Sequence, residues 1–396
     1  MLDQAHPETE KILTDRRLVK YKPFAKLVEA AAREQKIGAG RIFREIVGLT
    51  ARKAGLTADE YFAYRVYRAD LSRTEKREFV GARGSFELNR KLSPPGLTQM
   101  RGFLGDKFGF PALLQQTGLP TTEIQAAFTT DRFIGSLPAL KNATDIVSFL
   151  SETAKFPLFG KPVKGAQALG TIRIDAVDAA SDSAKLHDGR VVAISALSEE
   201  IVRDFPDGYL FQSVVEQHPV LTETAGEILA TMRMVTVIED TAPTLLYALW
   251  KMPSPKAMSD NFWQDGSMLS WLNVETGQVE RCVTGGGSDQ KEISIHPVSG
   301  KALLQMRMPH WAEATDLVKK AHALFPVNGC LGWDVAIGKD GPLIVECNTN
   351  PGHDFYQIGT GRGALNPEMQ AVFSRVITRN KGMIASLTKR KYKIGR

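Results

Sequence analysis

The sequence predicts an α/β protein with a mainly helical leading region, and three observations carry that prediction. From about residue 97, short apolar runs of strand length alternate with amphipathic stretches. The first 95 residues hold helix-type patterning instead, and they are basic. Between the two lies "SPPG" at 93–96, a strong breaker and a candidate domain boundary. With 396 residues, 43% of them hydrophobic, the chain can form two or three domains with sizeable cores.

The elements follow in order. "LTADEYFAYRVY" starts a helix: Thr57 and Glu60 form a capping box, Leu56 staples onto Tyr61, and Phe62 and Val66 share a face. "TTEIQAAF" and "ATDIVSFL" read as a strand and a helix. "FPLFGKPVKG" is a strand running into a glycine-bearing loop, and "DGYLFQSVV" is another strand. "TMRMVTVIE" and "TLLYALWKM" form two strands joined by a turn at Ala242-Pro243. Residues 310–325 pattern as an amphipathic helix with Ala314, Leu317, Val318, Ala321 and Leu324 on one side. A hairpin at 333–348 comes next, and the basic tail "LTKRKYKIGR" is expected to fray.

Composition removes several function classes. Cys282, Cys330 and Cys347 form no CxxC pair, which argues against a disulfide framework and fits a reducing cytosol. The formal net charge of +6 is spread over a long chain and reads as a solvated surface. No run of about eighteen apolar residues occurs, and the N-terminus has no signal-type core. A soluble cytoplasmic protein without a membrane partner is therefore expected. The basic tail lacks interleaved aromatic platforms, so no nucleic acid partner is expected either. His310, Trp311 and His322 read as helix-face residues; they show no HExxH pattern.

The informative stretch is "GWDVAIGKDGPLIVECNTNPG", residues 332–352. Strand alternation places Glu346 and Asn348 on one face and Cys347 on the other. A two-residue Lys339-Asp340 turn would put Asp334 opposite Val345, on the wrong face. A three-residue turn, Lys339-Asp340-Gly341, puts it opposite Glu346, and this register is expected. Two adjacent carboxylates repel unless a cation lies between them, and hard oxygen donors suit Mg²⁺. Upstream, Lys161 sits at a strand end before a loop with Gly165 and Gly170. Glycine there lets backbone N–H groups approach phosphates, although the loop is not a Walker motif.

Together these pieces resemble the ATP-grasp superfamily. "VECNTNPG" is similar to the "EANTSPG"-type segment of D-alanine–D-alanine ligases, and "FGKPVKGAQALGT" to the superfamily's lysine loop. "TMRMVT", "DNFWQDGS" and "GWDVAIGKDGP" resemble the sugar-transfer-associated branch. The resemblance covers roughly residues 100–360. It implies an ATP-grasp fold with two α+β lobes clamping ATP: a helical region at 1–95, an N-terminal lobe with the lysine lid at 96–215, and a C-terminal lobe with the metal hairpin at 216–396. It implies ATP and Mg²⁺ as cofactors, with Lys107 and Lys161 on the phosphates, Gln212 in the adenine hinge, and Asp334, Glu346 and Asn348 as metal ligands. The dipeptide ligases carry arginine where this chain has Gly332, so Arg233 is the expected oxyanion partner. Their hinge is also more often acidic than Gln212.

Lys251 is a candidate for the γ-phosphate or the substrate. Asn261, His353, Gln357 and Arg362 are candidates for the substrate. The implied chemistry activates a carboxylate as an acylphosphate and joins it to an amine or thiol. A kinase acting on a hydroxyl group, or a non-catalytic nucleotide-binding protein, would use the same residues. The first 95 residues either shape the acceptor pocket or pair subunits into a homo-oligomer, and their pattern does not choose.

Overall fold

The computed structural model describes residues 11–13, 22–52, 55–98, 101–165, 169–254 and 266–394, with side chains to Leu387. The chain divides into two compact units. The smaller is built mainly from Thr122–Val215; the larger comprises Val19–Thr121, Glu216–Pro255 and Phe262–Arg396.

The larger unit opens with helices α1 (Phe24–Gln35), α2 (Ala39–Thr50), α3 (Ala58–Ala63), α4 (Arg73–Lys76), α5 (Ala82–Leu92), α6 (Arg101–Leu104) and α7 (Gly109–Gln116). The capping box at Thr57 and Glu60 forms as its residues dictate. The helix it starts is short, because Arg65 turns left-handed at φ 54°. Val66 is thus past the helix, although it is buried together with Phe62.

The smaller unit holds strands β1 (Ile124–Phe128), β2 (Ala139–Leu140), β3 (Leu158–Pro162), β4 (Ile172–Asp178), β5 (Ser183–Leu186), β6 (Val191–Ala193) and β7 (Tyr209–Ser213). They order as β2-β1-β7-β3-β4-β5-β6. Helices α8 (Ala143–Ser148) and α9 (Ile194–Asp204) contribute Ile146, Ile194, Leu197 and Ile201 to the core on one face.

In the larger unit, α10 (Pro219–Ala225) precedes a second sheet, β8 (Thr231–Ile238), β9 (Pro243–Met252), β10 (Met268–Leu272), β11 (Val279–Thr284), β12 (Lys291–Glu292), β13 (Cys330–Gly338) and β14 (Gly341–Asn348). Its order is β12-β11-β10-β9-β8-β13-β14. Helix α11 (Trp311–Ala323) lies between β12 and β13 in sequence, and α12 (Asp354–Thr360) and α13 (Pro367–Ile394) follow β14.

Alternation along these strands builds two cores. Met232, Met234, Trp250, Trp333, Val335 and Cys347 pack with Ala314, Leu317, Val318 and Ala321 of α11. Val235, Val237, Tyr247 and Leu249 face the leading helices, α12 and α13. Leu324 lies beyond the end of α11 and is 38% exposed, so it leaves the expected apolar face. The backbone of the tail is helical to Ile394, where fraying was expected. No described helix is long and apolar enough to cross a membrane.

The grouping differs from a boundary at 95/96. Residues 96–121 belong to the larger unit because Leu104, Phe110 and Leu114 enter its core. The Pro120 carbonyl also accepts the Ile344 N–H at 2.9 Å, and Thr121 Oγ1 donates to the Ile344 carbonyl at 2.7 Å. The units part at Val215/Glu216.

The hairpin reaches its register by another route than expected. The turn has two residues: Gly338 pairs with Gly341, Ile337 with Pro342 and Val335 with Ile344. A bulge then leaves Val345 without an opposite residue, and Asp334 pairs with Glu346 after all.

Candidate active site

Four neighbouring strands bring the charged side chains together. Asp334 on β13 lies between Arg233 on β8 and Glu346 on β14, as direct cross-strand partners. Directly opposed residues share a face, so these three side chains project from one side of the sheet. Asn348 follows Glu346 by two residues and shares that face. Lys251 on β9 belongs to it too, two residues beyond Leu249, the partner of Arg233.

The contacts are close. Arg233 Nε donates to Asp334 Oδ1 at 2.6 Å and its Nη2 to Oδ2 at 3.3 Å. Lys251 Nζ donates to the same Oδ2 at 3.2 Å. All three residues are buried, at 9%, 8% and 5% exposure for Arg233, Asp334 and Lys251. Burial alone would raise the Asp334 carboxyl, but Arg233 and Lys251 outweigh it and hold it at about 2. Burial likewise opposes the Arg233 cation, and Asp334 and then Glu346 reverse that, raising its pKa. Two cations thus meet one buried carboxylate, and Glu346 adds a second carboxylate on the same face. The Phe355 ring lies 5.5 Å from the Arg233 guanidinium carbon.

Lys107 lies between α6 and α7, where Asp106 Oδ1 caps the next turn by accepting from Phe108 N at 3.1 Å and Gly109 N at 2.6 Å. Its pKa falls, chiefly through burial, and the Glu346 charge acts in the opposite sense. Lys107 is therefore within electrostatic reach of the ribbon.

The donor set fits a hard divalent cation in kind and placement: Asp334, Glu346 and Asn348 supply oxygens from one face, and Glu346 is exposed. Asn348 Nδ2 is buried without a hydrogen-bond partner, so this amide is not tied down by the fold. A ring of three His, Cys, Asp or Glu groups is absent among the described residues. Both Asp334 oxygens already touch cations, so a metal would use their remaining lone pairs.

In the smaller unit, Phe159 on β3 is opposite Gln212 on β7, and Lys161 is opposite Leu210. Lys161 and Gln212 hence share the face away from the core residues Leu158, Tyr209 and Phe211. The Gln212 backbone lies in a strand flanked by β1 and β3, so its side chain is the available group. Its Oε1 is buried with no partner.

A sequence profile of the sugar-transfer associated ATP-grasp family matches residues 97–373, more than half of the chain. The chain belongs to that family. No curated protein matches the sequence. Among solved structures, the chain is similar to an L-amino acid ligase from Bacillus licheniformis, at 14% identity and TM-score 0.35, covering 82% of this chain and 55% of that one. It is similar to the D-alanine-D-alanine ligase from Coxiella burnetii, at 11% identity and TM-score 0.40, covering 74% and 62%. It is also similar to the ATP-grasp ligase PsnB complexed with a precursor variant, Mg and ADP, at 16% identity and TM-score 0.36, covering 72% and 61%. The chain thus spans little more than half the length of the first of these ligases.

The remaining candidates of this ATP-grasp chain divide. Gln357, expected at the substrate, is fully buried: its Nε2 donates to the Val80 carbonyl at 2.9 Å and its Oε1 accepts from Val80 N at 2.8 Å and Ala364 N at 3.2 Å. Its amide clamps the leading helical region onto α12 and is unavailable to a ligand. His353 is also fully buried; Nδ1 meets the Tyr247 hydroxyl at 2.9 Å, Nε2 has no partner, and burial lowers its pKa to about 4. That places His353 inside the fold, not on an acceptor surface. Arg362 pairs with Glu368 at 3.2 Å at the surface. Asn261 lies outside the described residues. His322 is structural as expected, bonded to Thr236 and to the Asn328 carbonyl.

Sequence reasoning missed Asp354 and Phe355, which α12 brings to Arg233. Burial raises the Asp354 carboxyl, against the Phe355 N–H and the Arg233 charge. The available signal was "PGHDFYQ", an acid and an aromatic directly after the ribbon.

Proposed function

We propose that the protein is an ATP-dependent ligase that activates a substrate carboxylate as an acylphosphate and joins it to an amine. The observation that carries this reading is the assembly, on one sheet face, of Asp334, Glu346 and Asn348 with Arg233 and Lys251, and with Lys107 in electrostatic reach.

In the first step a carboxylate oxygen attacks the γ-phosphorus of ATP, and the bond to the ADP oxygen breaks. Bringing an anion to a triphosphate is an electrostatic problem, and Lys107 and Lys251 supply positive charge from this unit. A magnesium ion held by Asp334, Glu346 and Asn348 would neutralise charge on the phosphates. Within the smaller unit, Lys161 and Gln212 share one strand face, which supports a phosphate role for Lys161 and an adenine role for Gln212. In the second step the amine nitrogen attacks the acyl carbon, phosphate departs, and the amine loses a proton. Arg233 is planar, permanently charged and fixed by Asp334, so it suits the oxyanion of the tetrahedral intermediate. No protein nucleophile takes part.

The test is Glu346→Gln. It removes one carboxylate from an exposed position, so the fold should persist while ATP turnover is lost. Turnover near the wild-type rate refutes the ribbon assignment. The products distinguish a ligase from a kinase: an amide with ADP and phosphate, against a stable phosphate ester.

A further inference from the structure

Among the described residues, the chain passes between the two units at Thr121/Thr122 and at Val215/Glu216. Within the larger unit, both passages are bonded to the hairpin of β13 and β14. At the first, the Pro120 carbonyl accepts the Ile344 N–H at 2.9 Å and Thr121 Oγ1 donates to the Ile344 carbonyl at 2.7 Å, so Thr121 lies beside Ile344 as a parallel neighbour. At the second, Lys339 N donates to the Glu216 carbonyl at 3.0 Å and His218 N donates to the Ile337 carbonyl at 2.9 Å. The Lys339 and Glu216 side chains also form an ion pair.

The two anchors grip different stretches of the hairpin. Residues 216–218 hold 337–339, at the tip. Thr121 holds Ile344, the last residue of the tip-side pairing, one position before the bulge. Because β14 is the edge strand of its sheet, the bonded N–H and carbonyl of Ile344 lie on the open side of the ladder. With both groups satisfied there, the ladder is fixed immediately ahead of Val345, and the extra residue is taken up at that position. The next paired residue is Glu346, opposite Asp334. A slip of one residue at this point would turn Glu346 and Asn348 to the other face.

We infer that Thr121 is a positioning residue for the metal ribbon: by holding Ile344 it keeps the bulge at Val345, and so keeps Glu346 beside Asp334. This rests on the reading of the ribbon as a divalent-cation site. Thr121 supplies no donor to the cation. It acts through the main chain, as the outer partners of metal ligands do when they fix the direction in which those ligands point. The tip anchor has no such role, because it lies on the far side of the bulge from the acids.

Binding of Mn²⁺, standing in for Mg²⁺, is measured on the full chain by electron paramagnetic resonance. Thr121→Val removes the donor at nearly constant volume and should weaken Mn²⁺ about fivefold or more; Thr121→Ser keeps the donor and should stay within about twofold of wild type. Two controls separate positioning from general loosening. Thr117→Val breaks hydroxyl bonds of the same kind, to the Leu113 and Leu114 carbonyls at the end of α7. Lys339→Met breaks the ion pair at the tip. Both should bind Mn²⁺ within about twofold of wild type. Linkage is reciprocal, so saturating Mg²⁺ should slow amide exchange at Ile344 in the unaltered chain about fivefold or more, and leave Lys339 as it was. Three results overturn the assignment: unchanged Mn²⁺ affinity in Thr121→Val, an equal loss in either control, or exchange at Ile344 indifferent to Mg²⁺. Should Thr121→Val fail to fold, the exchange measurement on the unaltered chain decides. If the unaltered chain binds no Mn²⁺, the proposed function fails. Amide exchange at Val345 and Glu346 then decides the positioning without metal: faster in Thr121→Val than in Thr121→Ser supports it, and equal rates overturn it.

Discussion

Replacing Asp334 by Asn leaves Arg233 and Lys251 buried around a neutral amide. Two routes give the cost. The Asp334 carboxyl stands at about 2 against an ordinary 3.8, and a shift of that size corresponds to roughly 2 kcal/mol. Stripping a buried ion pair of one partner costs about 3–5 kcal/mol. A loss of about 2–4 kcal/mol is therefore expected, lowering the melting temperature of the larger unit by about 5 °C or more. The assay is thermal unfolding at neutral pH in EDTA, so that no metal contributes. The cations should also be non-additive: Lys251→Met in the Asp334→Asn background removes one of the two buried cations and should recover part of the loss. An unchanged melting temperature in Asp334→Asn, or strict additivity in the double variant, refutes the claim that this carboxylate holds the cations in place.

Gln357→Ala leaves the Val80 N–H and carbonyl and the Ala364 N–H without partners, at a cost on the order of 3 kcal/mol. Amide exchange at Val80 should accelerate while binding of a non-hydrolysable ATP analogue is kept; loss of that binding would place Gln357 in the site after all. His322 is held neutral, with burial lowering its pKa from 6.5 to about 4. Below 6.5 the unfolded chain binds the extra proton, so this contribution is complete above 6.5 and is lost as pH falls towards 4, by up to about 3 kcal/mol. The urea midpoint should fall across that window, and His322→Gln should flatten the slope; an identical slope in the variant refutes the assignment.

Much of the ribbon was legible because alternation is a local rule. Asp334, Glu346 and Asn348 share a face, and Cys347 faces the core, as period two requires. The route was not legible, because a bulge at Val345 leaves no mark in a run of ordinary strand residues. The ion pair of Arg233 with Asp334 joins residues 101 apart in sequence, and only the pairing of β8 with β13 creates it. Gln357 misled for a related reason. A polar residue near a glycine-rich segment reads as loop, yet here it is the buried partner of a backbone 277 residues earlier. The membership of residues 96–121 was hidden as well, since "SPPG" marks the end of α5 without saying which sheet the next segment joins.

The unmatched Val345 divides the hairpin into two stretches of regular pairing, one at the tip and one that carries the acids. Were Val345 drawn into the ladder opposite Asp334, the Lys339-Asp340 turn would stay as it is, while Glu346 and Asn348 rotated into the apolar layer and Cys347 out of it. The tip can thus be rebuilt by substitution without disturbing the acids. Their orientation depends on one extra backbone residue, at a position that carries no charge.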